Sequence, residues 1–250
     1  MENKVTVITG TATGLGRETA IKLAALGHQL VLVDFNEEAG AETLSLVKEK
    51  GAEAIFVKAD VSNEADVQNY VKQAVDTFGT IHYFVNNAGM MVSLRLLHEY
   101  SVEEYDRVMN VNLKGAFLGL KYVIPVMLDN GGGSIVNTVS SNSFKPTAFN
   151  GLYSATKHGM AALTKSIGQD YQQQHIYCVG VAPNSMKTGI ANKAVQTLTQ
   201  ERGAQLAAST GPNIAATPQD IADTVIFALT TGAPMLTGTI VNCAGGEIFN

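Results

Sequence analysis

Tyr153 and Lys157 are the residues of this sequence best suited by type and spacing to proton transfer. They stand four positions apart in YSATK, so on a helix the phenol and the ammonium can point into one cleft. A free phenol has a pKa near 10, and a neighbouring positive charge favours phenolate. Lowering this pKa by ~2 to 3 units takes roughly 3 to 4 kcal/mol of differential interaction. Alone the pair indicates little, because tyrosine and lysine at this spacing usually form a surface contact.

A glycine-rich turn follows the first predicted strand. The segment TGTATGLG places Gly10, Gly14 and Gly16 between KVTVIT and a helix that begins near Leu15. Glycine permits tight φ values and close backbone approach, so a pyrophosphate can rest against N–H groups at the helix N-terminus. The spacing GxxxGxG departs from the general dinucleotide motif GxGxxG, and such turns also occur without a ligand.

Asp34 gives this turn a more specific interpretation. It closes the second predicted strand, QLVLVD, where a carboxylate can accept hydrogen bonds from adenosine ribose hydroxyls and would repel a 2′-phosphate. The sequence therefore favours NAD over NADP, the alternative being that Asp34 is only a solvated strand end. Arg17 is interpreted as an exposed first-turn residue, although its charge could soften the exclusion of a phosphate.

The elements that must position these residues alternate along the chain. Amphipathic segments with three- and four-residue apolar spacing end at or beside glycine, and a capping box (Ser101 with Glu104) and a Thr217-Pro218-Asp220 start mark two later helices. The order predicts an α/β, doubly wound (Rossmann) domain with a seven-stranded parallel sheet and helices on both faces. The predicted strands are KVTVIT, QLVLVDF, AEAIFVKAD, IHYFVNNAG, GSIVNTVSS, IYCVGVAP and TGTIVNCAG.

Length and composition bound the function. The 250 residues carry a net charge of −5 and are 46% hydrophobic, which disfavours a disordered chain or a protein that coats nucleic acid. One domain over residues 1–250 is expected. Its least patterned part, residues 185–218, is interpreted as a mobile cover over an active site.

Location and metal content follow from the remaining composition. Cys178 and Cys243 lie in apolar runs, which indicates core thiols in a reducing compartment without a disulfide. No apolar stretch approaches the ~18 residues of a membrane span, and no signal-peptide core precedes the first strand, so a cytoplasmic protein is expected. The five histidines are scattered, and no metal site is predicted.

Taken together, the motifs resemble the shorter, roughly 250-residue subgroup of the short-chain dehydrogenase/reductase family. The resemblance spans nearly the whole chain and rests on motifs in the family's order: TGTATGLG, Asp60-Val61, NNAG, Asn112 in MNVNLKG, Ser140, and YSATK. It implies hydride transfer between a nicotinamide and an alcohol or ketone. It also implies a homotetramer, built through residues 102–127, residues 152–172 and the C-terminal strand.

The resemblance assigns catalytic roles. Tyr153 would be the general acid/base, and Lys157 would lower its pKa and bind the nicotinamide ribose. Ser140, thirteen residues before Tyr153, would bind the substrate oxygen, with Ser141 as the fallback. Asn112 resembles the residue that bends the preceding helix and holds a water linking Lys157 to solvent.

The resemblance also assigns cofactor contacts. Asp60 and Val61 resemble the adenine contacts, and Asn87, Ala88 and Gly89 the loop beneath the adenosine ribose. After the sixth strand the family reads PGxxxT, whereas here Asn184 follows Pro183 before Thr188. Asn tolerates positive φ, so the turn can survive. Thr188 would bind the nicotinamide carboxamide, with the backbone near Met186 beside it.

The substrate is less defined. Apolar candidates for its wall favour a small or medium secondary alcohol or ketone; they are Met90, Met91, Phe144, Phe149 and Leu152. One alternative is reduction of a carrier-bound 3-oxoacyl group, although the relatives that do so mostly prefer NADPH and carry basic residues where this chain has Asp34 to Glu38. Another is a nucleotide-sensing protein that has lost the reaction. His158 lies off the shared face of Tyr153 and Lys157 and is interpreted as structural.

Overall fold

The seven predicted strands form one parallel sheet. The computed structural model describes residues 4–184, 186, 195, 198–209 and 216–245. The strand order is β3-β2-β1-β4-β5-β6-β7, and neighbouring strands are parallel throughout. The predicted doubly wound Rossmann architecture is thereby confirmed. The strands are β1 (Val5–Thr9), β2 (Gln29–Asp34), β3 (Ala54–Lys58), β4 (Tyr83–Asn86), β5 (Gly133–Thr138), β6 (Ile176–Pro183) and β7 (Ile240–Cys243).

Helices connect the strands. The amphipathic segments predicted from apolar spacing, GLGRETAIKLAALG, EEAGAETLSLVKEKG and EADVQNYVKQAVDTFG, are confirmed as α1, α2 and α3. A π-helical turn, Asn110–Lys114, joins α4 to α5. Within the residues that the structure describes, the helices are α1 (Gly14–Ala25), α2 (Glu37–Glu49), α3 (Glu64–Phe78), α4 (Val102–Met109), α5 (Gly115–Asp129), α6 (Gly151–Asp170), α7 (Gln200–Ser209), α8 (Pro218–Leu229) and α9 (Ala233–Leu236).

Both predicted helix starts are capped as expected. The hydroxyl of Ser101 accepts the N–H of Glu104 at 3.1 Å, and the carboxylate of Glu104 accepts the N–H of Ser101 at 3.1 Å. Thr217 and Asp220 form the same reciprocal pair at the start of α8. These bonds satisfy main-chain donors that a helix N-terminus leaves without partners.

The core lies on both faces of the sheet, because successive strand residues point to opposite sides. Val7 packs with buried residues of α3, α5 and α6, whereas Ile8 packs with buried residues of α1 and α8. Cys178 is a buried thiol, as predicted, and burial raises its pKa, while Cys243 is only half-buried.

The apolar segment Val102–Asp129 corrects one sequence expectation. By length and composition this helical stretch is able to cross a membrane, and half of its most apolar window is buried within the protein. Leu118, Val123 and Met127 of α5 are almost fully buried against the sheet. The stretch is therefore a core helix of this fold.

The strand order places the candidate site. The chain winds outward from β1 in one direction and from β4 in the other, so a crevice opens beyond the carboxyl ends of these two strands. Gly10 follows β1, Asp34 ends β2 and Asn87 follows β4. Ser140 lies two residues beyond the end of β5 at the same edge.

Candidate active site

The glycine turn packs with almost no free space. Gly10 and Gly14 adopt φ values of +74° and +60°, and the N–H of Gly10 donates to the carbonyl of Val33 at 2.8 Å. A Cβ added to Gly16 would lie 2.0 Å from the carbonyl oxygen of Gly10. Only glycine fits there, and the turn presents main chain to the crevice at the start of α1.

Asp34 is fixed against this turn. Its Oδ2 accepts the N–H of Ala12 at 2.8 Å, and its Oδ1 accepts the N–H of Asn36 at 2.9 Å. Asp34 is thus more than a solvated strand end, because it ties the glycine turn to β2 and lines the crevice.

Arg17 differs from its predicted exposed position. Its side chain is only 23% exposed, and its guanidinium donates to the Thr43 hydroxyl at 2.9 Å, the Ala39 carbonyl at 3.0 Å and Glu42 at 3.1 Å. The guanidinium of Arg17 therefore links α1 to α2.

The crevice consists of two adjoining cavities, and both are lined by Gly10, Ala88 and Gly89. The smaller, of about 470 Å³, is also lined by Asp34, Asp60 and Val61. The larger, of about 940 Å³, extends past Gly14 and Leu15 to Asn87, Tyr153, Lys157 and Met186. The crevice is long and lined by main chain where glycines replace side chains, which fits an extended dinucleotide.

The side chains of Asp60 and Asn87 also form hydrogen bonds within the protein. Oδ1 of Asp60 accepts the N–H and the hydroxyl of Ser62 at 2.9 and 2.7 Å. The amide of Asn87 donates to the carbonyls of Thr9 and Gly10 at 2.9 and 3.2 Å. Asn87 therefore holds the loop after β4 to the end of β1.

Tyr153 and Lys157 lie on one face of α6, as their spacing predicts. The Nζ of Lys157 is 5.6 Å from the Tyr153 ring centroid and donates to the carbonyl of Thr138 at 2.6 Å. Sequence reasoning missed Thr138, although its place two residues before Ser140 could have suggested it.

The pKa of Tyr153 differs from the sequence expectation. Burial raises the pKa of Tyr153 to about 12, and a hydrogen bond with the Ser140 hydroxyl opposes this rise. Burial also lowers the pKa of Lys157 to about 8. In the protein alone, desolvation thus outweighs the predicted lowering of the tyrosine pKa by the lysine.

Asn112 is buried in the π-helical turn. Its amide donates to the Met90 carbonyl at 2.8 Å and to the Thr156 hydroxyl at 3.3 Å, and its oxygen accepts the Met90 N–H at 2.7 Å. These bonds hold the chain after Gly89 against α6. A π turn in a helix often marks a functional site.

The turn after β6 is built differently from the prediction. Asn184 does not use a positive φ; its N–H donates to the Cys243 carbonyl at 3.3 Å, and its Oδ1 accepts the Ser141 hydroxyl at 3.0 Å. Pro183 ends β6 and is buried, and Thr188 lies outside the described residues. The Ser141 hydroxyl is therefore used by Asn184, whereas Ser140 is the serine that opposes the rise in the pKa of Tyr153.

The last candidates are His158, interpreted from sequence as structural, and three apolar residues expected at the substrate wall. The Nδ1 of His158 is 2.9 Å from the carbonyl of Ser154 on its own helix. Leu152 is buried, whereas Phe144 is 42% exposed and Phe149 is half-buried. Phe149 also has a φ of +62°, which is rare for a bulky residue.

Comparison with known proteins agrees with this geometry. The family model described as short chain dehydrogenase matches residues 4–199. Levodione reductase of Leifsonia aquatica is 33% identical, covering 98% of this chain and 94% of that protein, and a crystal structure of levodione reductase superposes with a TM-score of 0.92, covering 98% of both chains. Cyclohexanol dehydrogenase of Acinetobacter sp. (strain SE19) is 32% identical, over 95% and 92% of the two chains. The structure of an NAD⁺-bound xylitol dehydrogenase is 29% identical, with a TM-score of 0.90 over 98% and 99%.

Proposed function

The chain belongs to the short-chain dehydrogenase family, and from this we propose that it is an NAD-dependent oxidoreductase acting on a small or medium secondary alcohol or ketone. The observation that carries the proposal is the lining of one cavity by Gly10, Gly14, Asp34, Tyr153 and Lys157. A dinucleotide lying along the glycine turn would bring its reactive end to the tyrosine. The carbonyl/alcohol chemistry of the family needs such a proton donor and acceptor.

Each catalytic residue has a defined role in this proposal. In alcohol oxidation the Ser140 hydroxyl holds the substrate oxygen, and Tyr153 removes its proton. Oxidised NAD, when bound, would supply the hydride acceptor, and the positive charge that its nicotinamide carries before the transfer would favour phenolate. Lys157 holds the nicotinamide ribose and also favours phenolate, while Asn112 supports the path by which the proton reaches solvent. Ketone reduction is the reverse.

The remaining predicted contacts follow the crevice from end to end. Asp34 would bind the adenosine ribose, and Asp60 and Val61 would contact the adenine. The loop of Asn87, Ala88 and Gly89 would support the ribose. Pro183, Met186 and Thr188 would hold the nicotinamide.

NAD is the expected cofactor because a negative charge, that of Asp34, would face the adenosine ribose. The carboxylate of Asp34 would repel a 2′-phosphate, and the guanidinium of Arg17 is engaged by Ala39, Thr43 and Glu42. Among structural relatives, the xylitol dehydrogenase is described as NAD⁺-bound.

The substrate class rests on the apolar candidates and on one relative. Met90 lines both cavities, and Phe149 is half-buried beside α6. Cyclohexanol dehydrogenase is named for a secondary alcohol. We propose that residues 185–218 form a cover on this side.

The proposed assembly is a cytoplasmic homotetramer built through α4, α5, α6 and β7. Val102, Tyr105 and Phe117 are 70%, 46% and 48% exposed, which supports contacts through α4 and α5. Size-exclusion chromatography with light scattering tests this, and a monomer at micromolar concentration contradicts it.

The activity is tested with a panel of secondary alcohols and ketones, each assayed with NAD and NADP by absorbance of the reduced cofactor. We expect turnover with NAD, and loss of turnover by about 10³-fold or more in Tyr153→Phe with nearly unchanged NAD binding. Wild-type turnover by Tyr153→Phe contradicts the role of Tyr153. NAD binding without turnover on any substrate favours a silent nucleotide-binding protein, and preference for a carrier-bound 3-oxoacyl substrate favours the acyl reductase.

A further inference from the structure

Asn142 lies between the two residues that would handle the substrate oxygen. It is carried by a short 3₁₀ turn, Ser141–Ser143, two positions after Ser140. Its side chain meets Ser154, the residue directly after Tyr153. Asn142 is only 8% exposed, and Ser154 only 3%. None of the roles proposed above involves it.

The side chain of Asn142 joins three segments of the chain. Its Oδ1 accepts the N–H and the hydroxyl of Thr147, each at 3.0 Å, and lies 3.0 Å from the Oγ of Ser154. Ser154 shares its single hydroxyl proton between this oxygen and the carbonyl of Asn150, at 2.8 Å. Because a main-chain N–H can only donate, the atom that faces Thr147 must be the amide oxygen, and the orientation of the amide is fixed.

The main chain of Asn142 acts on Ser140. Its N–H donates to the Oγ of Ser140 at 3.2 Å. A hydroxyl that accepts this bond still has its own proton to donate, and Ser140 lies close enough to Tyr153 to oppose the rise in the pKa of the phenol. The bond from the Asn142 N–H therefore leaves the hydroxyl proton of Ser140 available to a partner on the Tyr153 side.

We propose that Asn142 is a positioning residue, which holds the Ser140 turn against the first turn of α6 and so sets the separation of the Ser140 hydroxyl and the Tyr153 phenol. This inference rests on the proposed function for its kinetic consequence. Asn142 acts through Ser140 and Tyr153. A displacement of about 1 Å at such a pair can cost roughly 10²-fold in rate.

Two substitutions of nearly equal size separate positioning from packing. Asn142→Leu removes the acceptor, and we expect kcat to fall about 10- to 100-fold while the dissociation constant for NAD changes less than about twofold. Asn142→Asp keeps an acceptor for Thr147 and Ser154. It should retain most of kcat at its own pH optimum, and the added negative charge should raise the pKa of Tyr153, which moves the pH profile upward.

Thr164→Val is the matched control. Thr164 is a fully buried hydroxyl on the same helix, and it bonds Asn137 and the Met160 carbonyl instead of the Ser140 turn. Its loss should lower stability without changing the kcat or the pH profile. A fall in kcat as large as that of Asn142→Leu would overturn the proposal, as would wild-type kcat and pH profile in Asn142→Leu.

A second readout does not require turnover. With tyrosine carbon-13 labelled at Cζ, the Tyr153 resonance is identified by its absence in Tyr153→Phe. It should shift in Asn142→Leu and stay in place in Thr164→Val. If Asn142→Leu does not fold, Ser154→Ala takes its place, and an unshifted resonance overturns the proposal. If the wild-type protein turns over no substrate, the proposed function fails, and the resonance alone decides whether Asn142 positions Tyr153.

Discussion

The cofactor side and the substrate side of the crevice are built from different kinds of contact. On the cofactor side, main-chain groups meet at close range, as in the 2.8 Å bond from the Gly10 N–H to the Val33 carbonyl, and the side chains of Asp34 and Asn87 bond directly to main chain. On the substrate side, which comprises residues 90–100, residues 144–150 and α7, half-exposed side chains make the contacts. A close backbone contact tolerates no added atom, whereas an exposed side-chain pair can be exchanged at little cost.

The substrate side has its own organisation. Arg202 of α7 donates to both carboxylate oxygens of Glu99, at 2.6 and 2.8 Å, and its guanidinium lies 5.6 Å from the Phe149 ring. The carbonyl of Phe149 accepts the N–H of Arg95 at 2.9 Å and the hydroxyl of Tyr100 at 2.8 Å. These bonds hold Phe149 at its positive φ, a backbone conformation that costs on the order of 1 to 3 kcal/mol. Under the proposed function, the difference means that cofactor binding would be fixed by the fold, whereas substrate choice would depend on replaceable side chains.

One glycine substitution on each side provides the strongest test of this difference. Gly16→Ala places a Cβ 2.0 Å from the Gly10 carbonyl, so we expect the free energy of unfolding to fall by about 3 kcal/mol or more. Gly203→Ala in α7 meets no described atom within 4 Å outside its own helix, so it should raise this free energy by about 0.5 to 1 kcal/mol. Chemical denaturation measures both. Equal effects would mean that the two sides do not differ in packing.

Acid should destabilise the fold through His28, which lies at the amino end of β2, away from the crevice. This residue on the turn before β2 is 1% exposed, and burial, followed by the charges of the N-terminus, His82 and Lys4, lowers its pKa to about 4. The unfolded chain takes up this proton near pH 6.5 and the folded chain only near pH 4, so stability is lost as pH falls through this window. From about pH 7.5 to about pH 5 the loss should be about 2 kcal/mol.

Denaturation at the two pH values, repeated with His28→Gln, measures this contribution. The variant should be less stable at the higher pH, because it loses the stacking on Tyr83, and it should depend less on pH. His82 contributes in the same direction, since burial lowers its pKa too. The same pH dependence in wild type and variant would place the acid-sensitive group elsewhere.

Much of the cofactor side could be predicted from sequence. The glycine turn, Asp34 and the seven strands all have local signals, because backbone geometry restricts which residues fit. The Tyr153 and Lys157 pair was predictable from helical spacing. Its pKa values were not, because desolvation depends on packing from distant segments.

The substrate side gave weaker signals. Glu99 and Arg202 stand far apart in sequence, and neither lies in a motif that would pair them. Ser141 and Asn184 are 43 positions apart, so nothing local indicated that a side-chain bond would replace the expected positive φ. Arg17 was misjudged because its partners lie on α2. Thr188 falls outside the described residues, and its role stays a prediction.

A smaller effect is expected from a substitution on the cofactor side that changes the preference between NAD and NADP. Asp34→Asn keeps an acceptor for Ala12 but removes the charge that faces the ribose, so the ratio of kcat/KM with NADP to that with NAD should rise roughly tenfold. Glu38→Gln, which removes an exposed charge four residues further on, should leave the ratio unchanged. Steady-state kinetics with both cofactors measures it. An equal rise in both variants would attribute selectivity to overall charge instead of to Asp34.

The smallest effect is expected from the ion pair of the substrate side. Glu99 and Arg202 are 29% and 32% exposed, so Glu99→Gln should change KM for the substrate at most a few-fold and leave NAD binding as it is. Added salt at about 0.5 M should bring the wild-type KM towards that of the variant, because screening weakens an exposed pair. The pKa of Glu99 is lowered to about 2, chiefly by its hydrogen bond with Arg202, so the difference should persist across the pH range in which the protein is folded. Kinetics at low and high salt measures this, and a weakened affinity for NAD in Glu99→Gln would show that the two sides are coupled rather than independent.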